Sequence, residues 1–312
     1  MDRISTADTY AQVVANLMAS QNQLTTDSNQ LSSGNVASDL QGYASHAETL
    51  TAMQTVQSQV GGFLANDQVL ADKLTTQNTG LQQVAGAAQS AAQAIQHALA
   101  AGVGDSLMQQ LGTAFSSAVQ GLNTTYNGEY VFAGGQVTTA PVTVNSLSAL
   151  GAAPTIASVF ANDQHVASSQ INQNTTVQTG FLADQLGTPL MTALQAIQNF
   201  STGPGGPFTG QLTTAQIGFL TTQMNNLTAA TDALNTSAAQ NGLVQDQVTN
   251  AQSDLSNQQT TLGNMLGGIT NANMAQVSAN LQQAQLAMQA SSQVFLALNN
   301  SSLLNVLTAA GQ

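Results

Sequence analysis

Met53, Val56, Val60, Phe63, Leu70, Leu74, Leu81, Val84, Ala88, Ala91 and Ile95 recur at alternating steps of three and four residues. Asp67 and Gln77 are the polar members of the same series. Alternation of three and four is the heptad seam of a coiled coil, and a seam must face a partner helix. A run of about six heptads makes a helix roughly 60 Å long at about 1.5 Å per residue. That exceeds an ordinary globular helix and suits a rod. Gly61-Gly62 interrupts the run, at roughly 1 kcal/mol per glycine against alanine. It is either a tolerated soft spot or a place where another helix comes close.

The partner is legible further on. Thr213 and Gln216 match a capping box, after which Ile217, Leu220, Met224, Leu227, Thr231 and Leu234 restart a seam. Val244, Val248, Ala251, Leu255 and Leu262 continue it after a drift near Asn241-Gly242, and Gly267-Gly268 ends it. Between the two long seams, Gly102 to Asp105 forms a turn, and Leu107, Leu111, Phe115, Val119, Leu122 and Tyr126 mark a shorter helix.

The two ends carry the same rhythm. Tyr10, Val14, Leu17, Gln21, Leu24, Ser28 and Leu31 lie on a helix expected from Ser5, with Ser5 and Asp8 as a capping box and Ser32 to Asn35 as its stop. A short irregular piece follows to about Tyr43. Met274, Val277, Leu281, Ala284, Met288, Ser291, Phe295 and Leu298 form the last seam. In a two-helix pair, Leu17, Leu24, Leu281, Phe295, Leu303 and Leu304 bury only one face, so further copies of the chain are the expected cover. Ordering such segments on binding is physically reasonable.

The heptads vanish between Gly134 and about Gly210, where all the prolines lie. Asn127-Gly128 is a hairpin turn signal leading into Tyr130, Val131 and Phe132. Pro141 to Val144 is a short β-rich run. Thr188 as cap, with Pro189 in the first turn, predicts a helix through Leu190, Leu194 and Ile197. Gly203 to Pro207 is a loop, and it lacks the Lys and Ser/Thr of a phosphate loop.

Taken together the layout is close to a palindrome. The fold class is mainly α: a long antiparallel coiled-coil or helical-bundle rod made from both terminal regions, with a small α+β inserted domain at its far end. The first helix should pair with the last, and the two long helices with each other. The expected domains are terminal assembly helices at 1–34 and 272–312, a helical rod domain at 35–133 and 211–271, and an inserted variable domain at 134–210.

Charge narrows the function. Arg3 and Lys73 are the only basic residues against fourteen acidic ones, and the net charge is −12. Charged residues are 5% of the chain, where ordinary soluble proteins have roughly 25%. Interfaces must therefore rest on apolar packing and neutral hydrogen bonds. Nucleic acid is excluded as a partner, because phosphate binding needs clustered Lys and Arg. An anionic membrane surface is disfavoured for the same reason. No cysteine is present, so disulfides and thiolate chemistry are absent. Met1 to Tyr10 lacks the apolar core of a signal peptide, and no apolar run spans a bilayer. If the protein leaves the cell, it does so by a route that needs no cleavable signal peptide.

Enzyme chemistry finds no support. His46, His97 and His165 are scattered without ligand spacing, so neither a metal nor a cofactor is expected. Asp163 and Asp184 in the insertion are better read as surface carboxylates than as an acid/base pair.

Arg3-Ile4-Ser5-Thr6 and Leu31-Ser32-Ser33-Gly34 resemble the N-terminal region of the bacterial flagellin family, and the resemblance extends over nearly the whole length of the chain. Asn271 to Gln289 resembles the family's C-terminal helix, and Ser301 to Leu307 its leucine-rich ending. Gly128-Glu129-Tyr130-Val131-Phe132-Ala133-Gly134 resembles the motif of the hook-filament junction type, as does Asn174 to Leu186. The resemblance implies a structural part of the extracellular bacterial flagellum, joining hook to filament as a ring of subunits. It implies self-association in a ring or helical lattice, contact with a hook-side junction protein and with flagellin, a cytosolic export chaperone, and type III export. The assembly interface would comprise Leu17, Leu24, Leu31, Met274, Val277, Leu281, Met288, Phe295, Leu298, Leu303 and Leu304. Gly128, Tyr130, Phe132 and Gly134 carry the family motif. A filament flagellin is the alternative within the family, and a secreted coiled-coil adhesin with a ligand-binding insertion the alternative outside it.

Overall fold

The structure is a computed structural model that describes residues 2–310, with side chains described for residues 8–299. Among these, the elements are seven α-helices, two short 3-10 helices and two small antiparallel hairpins. The fold is mainly α, as the heptads require. It divides into two compact units: residues up to Gln59 with those from Gln259 onward, and Val60–Gln258.

The first unit is built on α1 (Asp2–Ser33) and α7 (Met274–Ala310). They run antiparallel, with Tyr10 beside Phe295 at one level and Asn35 bridged to Asn271 at another. Helix α1 starts at Asp2, upstream of the expected Ser5. Asp2, Arg3 and Ile4 contain no helix breaker, and a capping match does not by itself stop a helix. Gly34 ends α1 at φ +72°, a left-handed value that glycine adopts without a Cβ penalty. A backbone clasp follows: Val36 N–H donates to Thr270 O at 2.8 Å, and Ala272 N–H to Gly34 O at 2.8 Å. The irregular piece winds into a 3-10 helix at Leu40–His46, capped by Asp39, whose Oδ1 accepts from Gly42 N–H at 2.9 Å.

The second unit contains most of α2 (Ala47–Ala101) and α6 (Thr214–Thr270), which pack through Leu70, Leu74, Val248 and Ala251 and run antiparallel, with Val103 just past α2 bridged to Gln211 just ahead of α6. Their register is held by Leu74 O, which accepts from Asn241 Nδ2 at 2.9 Å and Gln245 Nε2 at 3.1 Å. Asn241 is fully buried, so the drift seen in the sequence there is a polar lock rather than a break. Gly61 and Gly62 have open space where a Cβ would stand, which leaves the soft-spot reading. The close helix approach occurs elsewhere. Helix α3 (Leu107–Leu122) crosses α2 at Gly80 and Gly121. A Cβ on Gly121 would lie 2.7 Å from Val84 Cγ2 and 3.0 Å from Gly80 O.

One core joins α2, α3, α6 and the inserted segment through Leu81, Val84, Ile95, Leu111, Phe115, Phe132, Leu150, Leu190, Ile197 and Leu227. In the insertion, α4 (Leu147–Ala152) is held by Gln195, whose Nε2 donates to Leu150 O and Ala153 O at 2.9 and 3.0 Å. Pro141 to Val144 forms no strand. Its one bridge joins Val142 to Phe160, because Asn123 takes both the N–H and the C=O of Val142. The hairpin that forms is Ser168–Asn172 with Thr175–Gln178, and it packs Ile171 and Val177 on Leu70, Leu74 and Val248.

Helix α5 (Ala183–Thr202) begins ahead of Thr188, so Thr188 is not its cap and Pro189 lies inside it. Ala183 N–H donates to Phe132 O at 3.0 Å and anchors the start. Pro189 is exposed and removes a single helix bond.

Candidate assembly interface

The seam between α1 and α7 is only partly closed. Val277 and Ala284 are buried, at 4% and 5% exposure. Leu17, Leu24, Leu281, Met288, Phe295 and Leu298 are half-buried, while Leu31 and Met274 stay exposed. Tyr10 and Phe295 pack as tilted rings 5.3 Å apart. The side chains of Leu303 and Leu304 lie outside the described residues.

Two details explain the partial closure. The seam is filled with small residues at its middle. Ala19, Ser20, Ala284 and Ala287 line a cleft of about 400 Å³ with Gln23, Asn280 and Gln283. Asp27 also occupies the seam, almost fully buried, with Gln23 Nε2 donating to its Oδ1 at 3.0 Å and its Oδ2 without a partner. A pair with a notch and a carboxylate at its centre is poorly built to stand alone.

Met18, Leu286, Val294 and Leu296, which seam spacing does not single out, are 61%, 67%, 47% and 55% exposed. They lie off the three-four series. The signal was available: a helix with apolar residues on more than one face needs cover on more than one face. Burying one such side chain contributes about 1.5–3 kcal/mol, so a few of them together stabilise an assembly contact.

The motif residues lie in the second unit and have defined structural work. Strands β1 (Thr125–Tyr126) and β2 (Glu129–Tyr130) pair across a two-residue turn, with Asn127 and Gly128 at φ +52° and +84°. Two left-handed residues in succession are what a type I′ hairpin demands. Tyr130 N–H donates to Val137 O at 2.8 Å. The chain then dives inward. Phe132 is fully buried, and its Cε2 lies 2.7 Å from where a Cβ on Gly80 would stand. Gln77 Nε2 reaches Val131 O at 3.4 Å. Gly134 turns at φ +68° against Asp163, where any Cβ would collide with Asp163 Oδ1.

Asp163 Oδ1 accepts from Gly135 N–H at 2.8 Å and His165 N–H at 2.9 Å. These bonds favour the charged carboxylate and lower its pKa. Asp184 accepts from Asn162 Nδ2 at 2.9 Å and Gln164 Nε2 at 2.7 Å. Both carboxylates thus serve loop geometry. His46, His97 and His165 are exposed on separate segments. Among the described residues, no group of three or more His, Cys, Asp or Glu could hold a metal ion. Among them, too, no helix is long and apolar enough to cross a membrane.

Residues 4–137 match the bacterial flagellin N-terminal helical region, and residues 224–307 match the bacterial flagellin C-terminal helical region. No curated protein matches the sequence. Among solved structures, the fold is similar to that of a Vibrio parahaemolyticus protein named as a flagellar hook-associated protein. The TM-score is 0.59 at 13% identity, covering 72% of this chain and 97% of that one. It is also similar to Bacillus cereus FlgL, with a TM-score of 0.52 at 16% identity, covering 70% of this chain and 99% of that one. The two flagellin regions between them take in both terminal helices, both long helices and the Gly128–Gly134 motif, and the chain belongs to the bacterial flagellin family.

Proposed function

We propose that this chain is a structural, non-enzymatic subunit of the flagellum at the joint between hook and filament. The observation that carries the reading is the half-covered α1–α7 seam, flanked by exposed Leu286, Val294 and Leu296. Such a surface calls for neighbouring copies rather than a small ligand. Placement at the joint is supported by the likeness of the fold to a hook-associated protein and to FlgL. The interface residues from Leu17 to Leu304, and the division into terminal helices, rod domain and insertion, belong to the same proposal. So do contacts with a hook-side junction protein and flagellin, a cytosolic chaperone, and export without a cleaved signal.

Filament flagellin is the second reading, favoured by the family match itself. Deletion of the gene separates the two. The expected outcome is bare hooks with flagellin shed into the medium. Disappearance of the filament subunit itself would make the chain a filament protein. Unchanged motility would overturn both readings and favour an adhesin.

A further inference from the structure

Asp67 is the one acidic residue of the long α2 seam, and it is fully buried. Neither of its carboxylate oxygens has a hydrogen-bond partner. The residues next along the seam, Leu70 and Leu74, pack against Val248 and Ala251 of α6. The antiparallel register set at Leu74 and Asn241 places Asp67 opposite the turns of α6 around Ala251. A buried, unpaired carboxylate in an apolar seam disfavours its own charge.

No neighbouring charge relieves it. On α2, Asp72 is exposed and Lys73 half-buried; on α6, Asp246 and Asp254 are exposed. The hairpin at Ser168–Gln178 contains no charged residue. Burial alone pushes the Asp67 carboxyl up from 3.8 to about 6. Asp27 is the other buried carboxylate among the described residues, and it accepts a hydrogen bond from Gln23 Nε2 at 3.0 Å.

We propose that Asp67 is a protonation-controlled lock on the α2–α6 pair, leaving the seam loose when charged and closing it when neutral. The sign follows from linkage. The closed state holds the proton more tightly than the open one, so closure is favoured at low pH. That advantage is lost as pH rises from the open-state value near 4 through the closed-state value near 6. The closed-to-open ratio should fall on the order of a hundredfold across that window. Protonation also supplies one O–H donor, which a helix carbonyl of either partner is able to accept.

Hydrogen exchange on the full chain tests this, with rates corrected for the intrinsic effect of pH. Protection over residues 60–74 should be greater at pH 5 than at pH 7.5. In Asp67→Asn that difference should vanish, because the amide keeps the shape and never ionises. Equal pH dependence in Asp67→Asn and the unsubstituted chain would overturn the proposal. If Asp67→Asn fails to fold, carbon NMR of the Asp67 carboxyl in the unsubstituted chain decides. A midpoint near 6 supports the lock, and one near 4 overturns it.

Discussion

Two glycines inside helices have opposite structural meanings. Gly61 sits in a helix with nothing within reach of a Cβ, while Gly121 has Val84 Cγ2 at 2.7 Å and Gly80 O at 3.0 Å from that position. Gly61→Ala should therefore raise stability by about 1 kcal/mol, the ordinary helix-propensity gain. Gly121→Ala should lower it by about 1–3 kcal/mol, because backbone cannot give way as a flexible side chain does. Denaturant midpoints of the two variants check this, and shifts of the same sign would refute it. Sequence located both glycines on helices. It had no means to tell open space from a helix crossing, since that depends on what α3 brings against α2. Asp67 and Gln77 were likewise visible as polar seam positions, but their complete burial follows from the partner's packing.

At the level of elements, the start of α6 shows local chemistry at its most readable. Thr213 N–H donates to Gln216 Oε1 at 3.0 Å, and Gln216 N–H to Thr213 Oγ1 at 3.2 Å. That is the reciprocal capping box the two residues predict. Gln216 does more, because its Nε2 also holds Gly205 O and Pro207 O at 3.0 and 3.1 Å. Thr213→Ala should cost about 1 kcal/mol. Gln216→Ala should cost more, by roughly another 1–3 kcal/mol for the loop carbonyls left without their donor. Thermal unfolding of both variants provides the comparison, and equal losses would show the loop contacts to be idle. Elements whose limits depend on distant partners were less readable. The start of α5 is set by Phe132 O, and the failure of Pro141 to Val144 as a strand is set by Asn123. Each partner lies too far along the chain for a local pattern to register it.

For the molecule as a whole, charge decides how copies meet. With two basic residues and a net charge of −12, copies repel one another, and the proposed interface has almost no ion pairs to lose. Added salt shortens the range of that repulsion to about 10 Å or less at 0.1 M and above. Self-association should therefore strengthen as salt rises, with the apolar residues of α1 and α7 supplying the attraction. Light scattering across a salt series measures it, and weakening with salt would point to an interface built on ion pairs. Replacing Leu286 and Leu296 by Ser should abolish the effect while leaving the core of the second unit intact, since neither side chain contributes to it.

Heptad spacing dictated long helices, and the family's terminal signatures dictated kinship, because both are written in short-range patterns of side-chain type. The mainly α class, the pairing of α1 with α7 and of α2 with α6, and the Asn127-Gly128 turn all follow from such patterns. The depth at which each seam closes does not. Burial of Asp67 and Asp27, the half-open faces of Leu17 and Phe295, and the anchoring of Phe132 beneath Gly80 arise where segments distant in the chain meet. Burial belongs to the pair of surfaces in contact, and one strand of sequence holds only one of them.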